Sequence, residues 1–326
     1  MGASDLVRCD DDAAWDALVA ESPQGSAFGR SWYLRALDVE GDLVVDRWLL
    51  SGDRGAQAGA VVLRRGGQPV DAPYPFSPYQ SLFLTAAVAT APAHRAGREI
   101  VEVTGRLAAA LTDRYPRLSF CLHPSLRDLR GLQWFHYGQP DAFRFDVRYT
   151  GLIDLGAYTD FEAYLATIRP TRRNEYRRAL GRGLCAETSE DIELLDRLHA
   201  ATFARQGLTR PAHEGALLRA ITVAALADGS GELLVCRAPS GDVVSAVLFV
   251  DDGRTSIYLF GANAPEHRNL DGGAFLVLEA VRRAKGRGLL GVDLCGVNSP
   301  QRGDFKTSLA AVVTPYFLAR WEAPIS

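Results

Sequence analysis

Hydrophobic and polar positions over residues 253–309 predict a strand, a helix and a second strand. Residues 255–260 are β-branched and aromatic, as the residues of a buried strand commonly are. Further along, apolar residues recur at helical spacing over 272–287, and glycines end the run. A second apolar run, 289–294, follows. We interpret the segment as a βαβ unit with parallel strands and a right-handed crossover.

Two predicted loops border this unit. Residues 261–271 connect the first strand to the helix, and residues 296–304 lead from the second strand to Phe305 and Lys306. Open α/β sheets usually bind ligands at the carboxyl ends of their parallel strands. We therefore expect Phe305 and Lys306 to lie at the ligand-binding edge of the sheet.

The same patterns run through the rest of the chain. In residues 1–155 we predict helices over 10–19, 31–37 and 92–113, and strands over 43–51, 59–65, 118–122 and 144–154. In residues 156–326 we predict further helices over 159–168, 172–180, 191–206 and 213–227, and further strands over 232–237, 243–251 and 312–321. Each half has helices, two strands joined by a Gly-Asp turn, a loop, a helix and another strand. The pattern predicts an α/β fold with mixed sheets, built from two tandem domains, 1–155 and 156–326.

Helix ends are predicted around Pro170. Thr159 stands three residues before Glu162, which is the spacing of a capping box, so we expect Thr159 to cap the helix that follows. Pro170 must end or kink that helix, and a new helix then restarts at Thr171.

An arginine cluster follows this proline. It consists of Arg169, Arg172, Arg173, Arg177, Arg178 and Arg182. A helix continuous through Pro170 would place Arg169, Arg173 and Arg177 on one face, where like charges repel by a few tenths of a kcal/mol per pair, of the order of 0.2–0.5. Such a cluster in a chain of formal net charge −3 predicts a polyanion ligand: nucleic acid, pyrophosphate or anionic headgroups. The alternative is a solvated face partly neutralised by Glu187 and Glu190.

Composition narrows the function classes. The apolar fraction of 47% and the charged fraction of 23% are those of a globular protein, and the small net charge gives no overall attraction to nucleic acid or membrane. The five cysteines show neither metal-ligand spacing nor a disulfide framework, which favours a reducing compartment. The start of the chain is too acidic for a signal peptide, and no apolar run approaches the ~20 residues of a membrane span. We expect a cytoplasmic protein without a membrane span.

Lysine usage is unusual. Lys285 and Lys306 are the two lysines of the chain, and every other basic side chain except histidine is arginine. Lys306 is therefore expected where a compact ammonium is needed and a planar guanidinium does not fit, although chance alone could also leave a lysine there. Lys285 is expected at an exposed helix end.

Known cofactor motifs are poorly matched. Many acyltransferases hold the pyrophosphate of coenzyme A with an Arg/Gln-x-x-Gly-x-Gly/Ala loop at a helix N-terminus. The nearest match is Arg268-Asn-Leu-Asp271-Gly-Gly273-Ala, with Asp271 at the first glycine position. A carboxylate there would repel pyrophosphate and could cap the helix itself, which weakens the case for coenzyme A without excluding it. Walker A, GxSxG and HExxH motifs are absent, and we predict no cofactor and no metal.

The order and spacing of several motifs resemble the Fem-like branch of the GNAT acyltransferases over nearly the whole chain. That branch consists of tandem GNAT-like domains and includes the aminoacyl-tRNA-dependent peptidyltransferases of cell-wall bridges and relatives that act on peptidyl antibiotics. The resemblance is carried by Trp15, residues 22–37, the Pro/Tyr loop 73–81, residues 172–183, 258–276 and 292–296, and Asp304-Phe305-Lys306.

This resemblance implies transfer of an aminoacyl group from aminoacyl-tRNA to an amine of a cell-wall precursor or a peptide-type natural product. Lys306 would stabilise the oxyanion and Phe305 would pack beside it. Asp304 and Asp293 are the candidate general bases, each with a structural alternative as a loop or strand-end residue.

Substrate-binding roles are implied in the same way. The predicted substrate-binding residues are Arg169, Arg172, Arg173, Arg177, Ser77, Tyr79, Tyr258, Asn263 and Asp293, with Tyr79 and its loop lining an acceptor cleft. Two other functions stay open: an acyl-CoA-dependent N-acyltransferase, and a binding module that has kept the fold without catalysis.

Overall fold

The structure, a computed structural model, describes residues 6–53 and 55–324. The described residues up to Arg148 and from Pro315 onward form one compact unit, and Tyr149–Thr314 form the other. The two units thus meet a few residues before the predicted division at 155/156, and the end of the chain belongs to the first unit. A long-range strand pairing, described below, connects that end to the first unit, and the domain bounds 1–155 and 156–326 stay a prediction.

The chain begins with the elements of residues 6–154, the last of which continues past Arg148 into the second unit. These are β1 (Leu6–Arg8), α1 (Asp12–Glu21), α2 (Ser31–Ala36), β2 (Leu43–Gly52), β3 (Gly55–Arg65), β4 (Gln68–Pro69), β5 (Leu82–Leu84), α3 (Ala86–Ala89), α4 (Ala93–Thr112), β6 (Arg117–Cys121), α5 (Arg130–Gln133) and β7 (Arg144–Asp154). The predicted helices and strands of this half agree with these bounds within a few residues.

The remaining elements follow in chain order. They are α6 (Phe161–Thr167), α7 (Pro170–Gly181), β8 (Cys185–Thr188), α8 (Ile192–Arg205), α9 (Ala212–Asp228), β9 (Gly231–Arg237), β10 (Val243–Asp251), β11 (Thr255–Asn263), α10 (Gly272–Gly286), β12 (Gly291–Gly296), α11 (Pro300–Thr307) and β13 (Val312–Glu322). The fold is mixed α/β, as predicted.

In the first unit, β2 and β3 form an antiparallel pair that β1, β4 and β5 extend. The strand β6 belongs to the other, eight-stranded sheet and pairs with β13, where Leu118 lies opposite Trp321. The helix α4 turns Val103, Leu107 and Leu111 into the core, as its apolar spacing predicts. Burial of this face explains why a helix with a polar outer surface is stable here.

In the second unit, the sheet runs from the end of β7 through β12, β11, β10 and β9 to β8. Strands β11 and β12 are parallel and α10 connects them, which confirms the predicted βαβ unit. The core lies under α10, with Phe249, Phe275 and Val281 almost completely buried. The edge strand β8 was not predicted, because Glu187 and Thr188 are exposed and give it no apolar alternation.

Two predicted loops contain regular structure. The strand β11 continues to Asn263 through residues that are neither β-branched nor aromatic and so give no strand signal. Within the predicted loop 296–304, α11 begins at Pro300, a residue well suited to the first position of a helix. The Phe305–Lys306 pair therefore lies in the last turn of a helix.

Pro170 likewise occupies the first position of α7, and Arg169 precedes the helix with ψ 132°. The two helices α6 and α7 are therefore separate, as the restart after the proline predicts. The hypothetical continuous face of Arg169, Arg173 and Arg177 is wrong, because Arg169 lies outside the helical repeat.

The cap of α6 also differs from the prediction. Asp160, and not Thr159, accepts the hydrogen bond of the Ala163 N–H at 2.8 Å. We expect Asp160→Ala to lower the free energy of unfolding by about 1 kcal/mol, because an exposed helix-end donor loses its partner. Urea unfolding measures this change, with Thr159→Ala as the matched control. An equal loss in the two variants would contradict the assignment.

Candidate functional site

The parallel strands β11 and β12 are paired only at their beginnings. Thr255 to Ile257 lie opposite Gly291 to Asp293, and the pairing ends there. Farther along, β11 continues beside β10, while Gly296 of β12 lies opposite Thr150 of β7. The two strands therefore part toward their carboxyl ends and open a gap in the sheet, which we call the β11–β12 gap.

A β-bulge shapes the β11 side of this gap. Phe249 lies opposite Tyr258 and Leu248 lies opposite Phe260, so Leu259 has no counterpart on β10. Successive strand residues point to opposite faces, and the extra residue therefore turns Tyr258 and Phe260 onto different faces of the sheet. The Tyr258 ring stacks on Phe249, with 5.1 Å between ring centroids.

A second irregularity shapes the β12 side. Cys295 adopts a left-handed backbone with φ 58°, between the paired residues Asp293 and Gly296. The Asp293 carboxylate accepts the Thr150 Oγ1 hydroxyl at 2.5 Å and the Cys295 N–H at 2.7 Å. Burial raises the pKa of the Cys295 thiol well above its usual value, which Asp293 reinforces and Lys306 opposes. Asp293 thus connects β7 to the end of β12, and its general-base and substrate-binding roles stay predictions.

Lys306 of α11 lies at the β11–β12 gap. Its Nζ donates to the Gly296 carbonyl oxygen at 3.0 Å and lies 5.7 Å from the centroid of the Tyr258 ring. The ammonium is therefore held between the bulge of β11 and the end of β12. A cation in this position can bind negative charge that develops on a carbonyl oxygen in the gap.

The two residues before Lys306 contact the arginine cluster. The Arg172 guanidinium lies 5.0 Å from the centroid of the Phe305 ring. Arg169 donates two hydrogen bonds to Asp304, at 2.8 and 3.1 Å. The hydrogen bonds and charge of Arg169 lower the pKa of the exposed Asp304 carboxyl. A carboxylate of lowered pKa is a weaker base, and this geometry favours an ion-pair role for Asp304 over general-base catalysis.

The other members of the arginine cluster are of two kinds: some are paired with a carboxylate, and others have no carboxylate partner among the described residues. Arg172 pairs with Glu175 at 2.6 Å. Among the described residues, the Arg173 side chain donates only to the Ala166 carbonyl oxygen, and the exposed Arg177 side chain has neither an ion pair nor a hydrogen bond. Glu187, which was considered as a neutralising neighbour, binds Arg237 instead. The remaining two, Arg178 and Arg182, bind the carboxylate that begins α10.

That carboxylate belongs to Asp271, which has φ 65° and no hydrogen bond from its side chain to α10. Its Oδ2 accepts from Arg178 at 3.0 Å and from Arg182 at 3.4 Å. The hypothesis that Asp271 caps α10 is therefore wrong. Two arginines compensate its charge, so its repulsion of a bound anion is smaller than the sequence alone suggests.

Asn263 ends β11 close to the start of α10. A Cβ atom placed on Gly273 would lie 2.5 Å from the Asn263 Oδ1, so glycine permits this approach. A Cβ on Gly272 would collide with Val244 Cγ1, which makes the first turn of α10 equally tight. Both glycines thus let α10 begin directly against the ends of β10 and β11.

Ser77 and Tyr79 belong to the first unit, whereas the residues above belong to the second. Tyr79 is 1% exposed, and its ring centroid lies 5.8 Å from that of Phe28 and 5.0 Å from that of Tyr316. Ser77 is fully buried and donates to the Pro75 carbonyl oxygen at 3.3 Å. The predicted acceptor-binding role of these two residues therefore stays a prediction, made for side chains that the first unit buries.

Sequence reasoning missed two hydroxyls. Ser308 accepts a hydrogen bond from Arg172 Nε at 2.9 Å and donates to the Phe305 carbonyl oxygen at 2.5 Å. Thr150 of β7, which is distant from Asp293 in the sequence, donates a hydrogen bond to the Asp293 carboxylate. The position of Ser308 two residues after the Phe-Lys pair was a weak signal, and nothing in the sequence pointed to Thr150.

Across residues 6–53 and 55–324, no group of three or more His, Cys, Asp or Glu side chains is arranged to hold a metal ion. Of the helices in this described part, none is both long and apolar enough to cross a bilayer.

Comparison with known proteins agrees with this architecture. Residues 166–307 match the family model of the acetyltransferase (GNAT) domain, a range that begins before α7 and ends after Lys306. No curated protein sequence matches the chain.

Several solved structures share the fold along the whole chain. FemX is 15% identical with a TM-score of 0.70, covering 96% of each chain. A tandem GNAT protein from the clavulanic acid biosynthesis pathway is 11% identical with a TM-score of 0.54, covering 98% of this chain and 99% of its own. L-PGS from Bacillus licheniformis is 14% identical with a TM-score of 0.52, covering 97% and 93%. At these identities the likeness establishes the fold.

Proposed function

We propose that this protein is an acyltransferase that uses aminoacyl-tRNA, because residues 166–307 match the GNAT domain and the whole chain shares its fold with FemX. It transfers the aminoacyl group to the amine of a cell-wall precursor or a peptide-type natural product, in the cytoplasm. One observation carries the proposal: the Lys306 ammonium lies at the β11–β12 gap, beside a helix that presents arginines.

The reaction needs little from the protein beyond charge and position. The acceptor amine attacks the ester carbonyl carbon, a C–N bond forms, and the carbonyl oxygen becomes an oxyanion. The Lys306 ammonium stabilises that oxyanion, because the charge develops in a partly buried place where water competes poorly. The C–O bond to the ribose then breaks, and the proton lost by the amine passes to the departing ribose oxygen. This relay fits a site in which Asp304 is held by Arg169 and Asp293 by Thr150.

Phosphates of the donor would bind the accessible part of α7. Arg173 and Arg177 stand four residues apart on that helix, and neither has a carboxylate partner among the described residues. A nucleic acid bound there releases counterions, so its affinity falls as salt concentration rises.

We expect the double variant Arg173→Ala/Arg177→Ala to bind a charged tRNA about tenfold more weakly. The logarithm of the affinity falls linearly with the logarithm of the salt concentration, and the steepness of this fall, the salt slope, should decrease by about 1 for each phosphate that the variant no longer binds. Fluorescence anisotropy at several salt concentrations measures both quantities. Arg237→Ala is the matched control, since this arginine is also exposed but already paired with Glu187. An unchanged salt slope in the double variant would exclude these two side chains as phosphate ligands.

The central experiment is transfer of radiolabel from a pool of charged tRNAs to small-molecule and cell-wall precursors, with RNase A added to a parallel reaction. Label transfer that RNase abolishes supports the proposal, and omitting one amino acid at a time then identifies the group transferred. Absence of transfer from tRNA, together with product from labelled acetyl- or longer acyl-CoA, would overturn it.

One observation favours the acyl-CoA alternative. The Asp271 carboxylate binds Arg178 and Arg182 and leaves the first N–H groups of α10 uncapped by its side chain, so an anion at this helix end meets less repulsion. Coenzyme A at ~100 times its dissociation constant would then stabilise the protein by about 2.7 kcal/mol, which a thermal-shift measurement detects. If neither aminoacyl-tRNA nor acyl-CoA supports transfer and Lys306→Ala leaves ligand binding intact, the results favour a binding module that has kept the fold without catalysis.

A further inference from the structure

The helix α11 connects the arginine cluster to the β11–β12 gap. On one side, the backbone N–H of Arg169 donates to the Ser308 carbonyl oxygen at 2.9 Å, and the Tyr164 hydroxyl donates to the Leu309 carbonyl oxygen at 2.8 Å. On the other side, Lys306 reaches the Gly296 carbonyl oxygen. All these residues lie in the second unit, so the C-terminal end of α11 is held between the junction of α6 and α7 and the end of β12.

Arg172 makes the most specific of these connections. Its Nε–H donates to Ser308 Oγ, its Nη1 donates to Glu175, and its guanidinium plane lies over Phe305. The side chain is 20% exposed, so most of it is packed against α11 and away from solvent. A guanidinium that is bonded at two nitrogens and lies over a ring has little freedom to move. Arg172 therefore belongs to the support of α11 more than to the phosphate-binding surface.

Arg169 makes a second, outer connection to the same helix. Its two hydrogen bonds to Asp304 are exposed to solvent, with 46% and 61% of the two side chains accessible. An exposed ion pair contributes little to stability because solvent screens it, so a phosphate can compete with Asp304 for Arg169. Asp304 stands two residues before Lys306 on α11. A change of partner at Arg169 would thus act on the helix that carries Lys306.

We propose that Arg172 is a positioning residue for Lys306, acting through Phe305 and Ser308, and that the Arg169–Asp304 pair lets a bound phosphate change the position of Lys306. Anion binding on α7 and the reactive cation in the β11–β12 gap are then coupled through α11. The inference rests on the proposed function only in treating Lys306 as the reactive cation, and the coupling itself holds for either donor.

The composition of the chain offers a direct measurement. The full chain without any tag, labelled with [ε-¹³C]lysine, has two Cε signals in an NMR correlation spectrum, from Lys285 and Lys306. The Tyr258 ring shifts the Lys306 signal, because the ammonium lies 5.7 Å from its centroid. A Lys285→Arg variant assigns the two signals. Lys285 then serves as an internal reference, since its Nζ binds the carbonyl oxygens of Leu155 and Tyr158, which lie outside α11.

We expect Arg172→Ala to move the Lys306 signal toward the position of an exposed lysine, and the Lys285 signal to stay in place. Arg177→Ala, which removes an equal charge from the same helix, should leave both signals unchanged. If Arg172→Ala fails to fold, Ser308→Ala removes the hydroxyl that joins Arg172 to the Phe305 carbonyl and gives the same test. An unmoved Lys306 signal in a folded Arg172→Ala or Ser308→Ala variant would overturn the positioning role.

A second titration tests the outer connection with inorganic pyrophosphate as the probe. In the wild-type protein we expect pyrophosphate to shift the Lys306 signal, and in Arg169→Ala we expect no shift. An equal shift in the two proteins, or none in either, would overturn the coupling through Asp304. In a transfer assay, Arg172→Ala should lower kcat by about tenfold with little change in KM, because a misplaced cation reduces the rate more than binding. The NMR result does not depend on activity, so it separates failure of the coupling from failure of the proposed donor.

Discussion

Replacing Lys306 by methionine is expected to lower kcat for amide formation by about 100- to 1,000-fold, the usual cost of removing one oxyanion-stabilising group. Methionine keeps most of the side-chain volume and the packing against Tyr258, so the loss reports on the charge. KM for the donor should change little, because the oxyanion exists only in the transition state. Single-turnover transfer of label from charged tRNA measures the rate of the chemical step.

Two further variants separate charge from shape. Lys306→Arg keeps the charge but places a planar guanidinium where an ammonium reaches the Gly296 carbonyl oxygen, and we expect it to recover only part of the rate. Lys285→Met removes the other lysine, whose Nζ binds backbone carbonyl oxygens at the start of the second unit. This variant should lose stability and keep kcat. Full activity of Lys306→Met would remove the cation from the mechanism.

Replacing Arg64 by methionine is expected to lower the free energy of unfolding by about 3–5 kcal/mol, because it leaves a buried carboxylate without its main partner. Asp46 is 2% exposed and accepts hydrogen bonds from Arg64 and, at 2.7 Å, from the Tyr115 hydroxyl. Arg8 contributes a more distant ion pair at 3.4 Å. The control is Arg65→Met on the same strand. Arg65 pairs with Asp42 and Glu40 at the surface, where such pairs contribute about 0–1 kcal/mol.

The pairing of Asp46 with Arg64 also predicts that the contribution of Asp46 to the free energy of unfolding depends on pH. Burial raises the pKa of Asp46, but the hydrogen bonds from Arg64 and Tyr115 outweigh it, so the pKa is lowered in the folded protein. A lowered pKa stabilises the fold above the unfolded value of about 3.9, and this contribution is lost as pH falls through the folded pKa. In Arg64→Met the hydrogen bonds and charge of Arg64 no longer lower this pKa, so the pKa of Asp46 should rise and the contribution that depends on pH should shrink. Urea unfolding at pH 7 and pH 3 should therefore show a smaller difference between wild type and variant at pH 3. A constant difference would contradict this account.

Sequence patterns predicted the elements whose apolar residues face one core. The βαβ unit of β11, α10 and β12 was found because its strands and its helix carry clear periodicities. The strand β8 and the helix α11 were missed because they are short and polar, and tertiary contacts stabilise them. The start of α11 shows this, since Pro300 suits both a loop and a first helical turn.

The candidate site was predictable in its residues and not in its contacts. Lysine usage singled out Lys306, and local charge density singled out the arginine cluster. The partners of these side chains lie far away in the chain: Arg169 pairs with Asp304, and Arg178 pairs with Asp271. No local pattern encodes such pairs, and the role of Asp271 as a helix cap was wrong for that reason.

The first unit contains β13 from Pro315 onward, a stretch that is synthesised after the whole of the second unit, and this order affects how the protein folds. The β13 residues Leu318 to Glu322 pair with β6, and Ala319 and Trp321 complete the core of the first unit. A ribosome has to translate all of Tyr149–Thr314 before it delivers that strand. The first unit to be synthesised is therefore the last whose core can close, and β6 waits during elongation as an unpaired edge. At this stage of synthesis, a chaperone that binds exposed strand edges would bind the unpaired edge of β6.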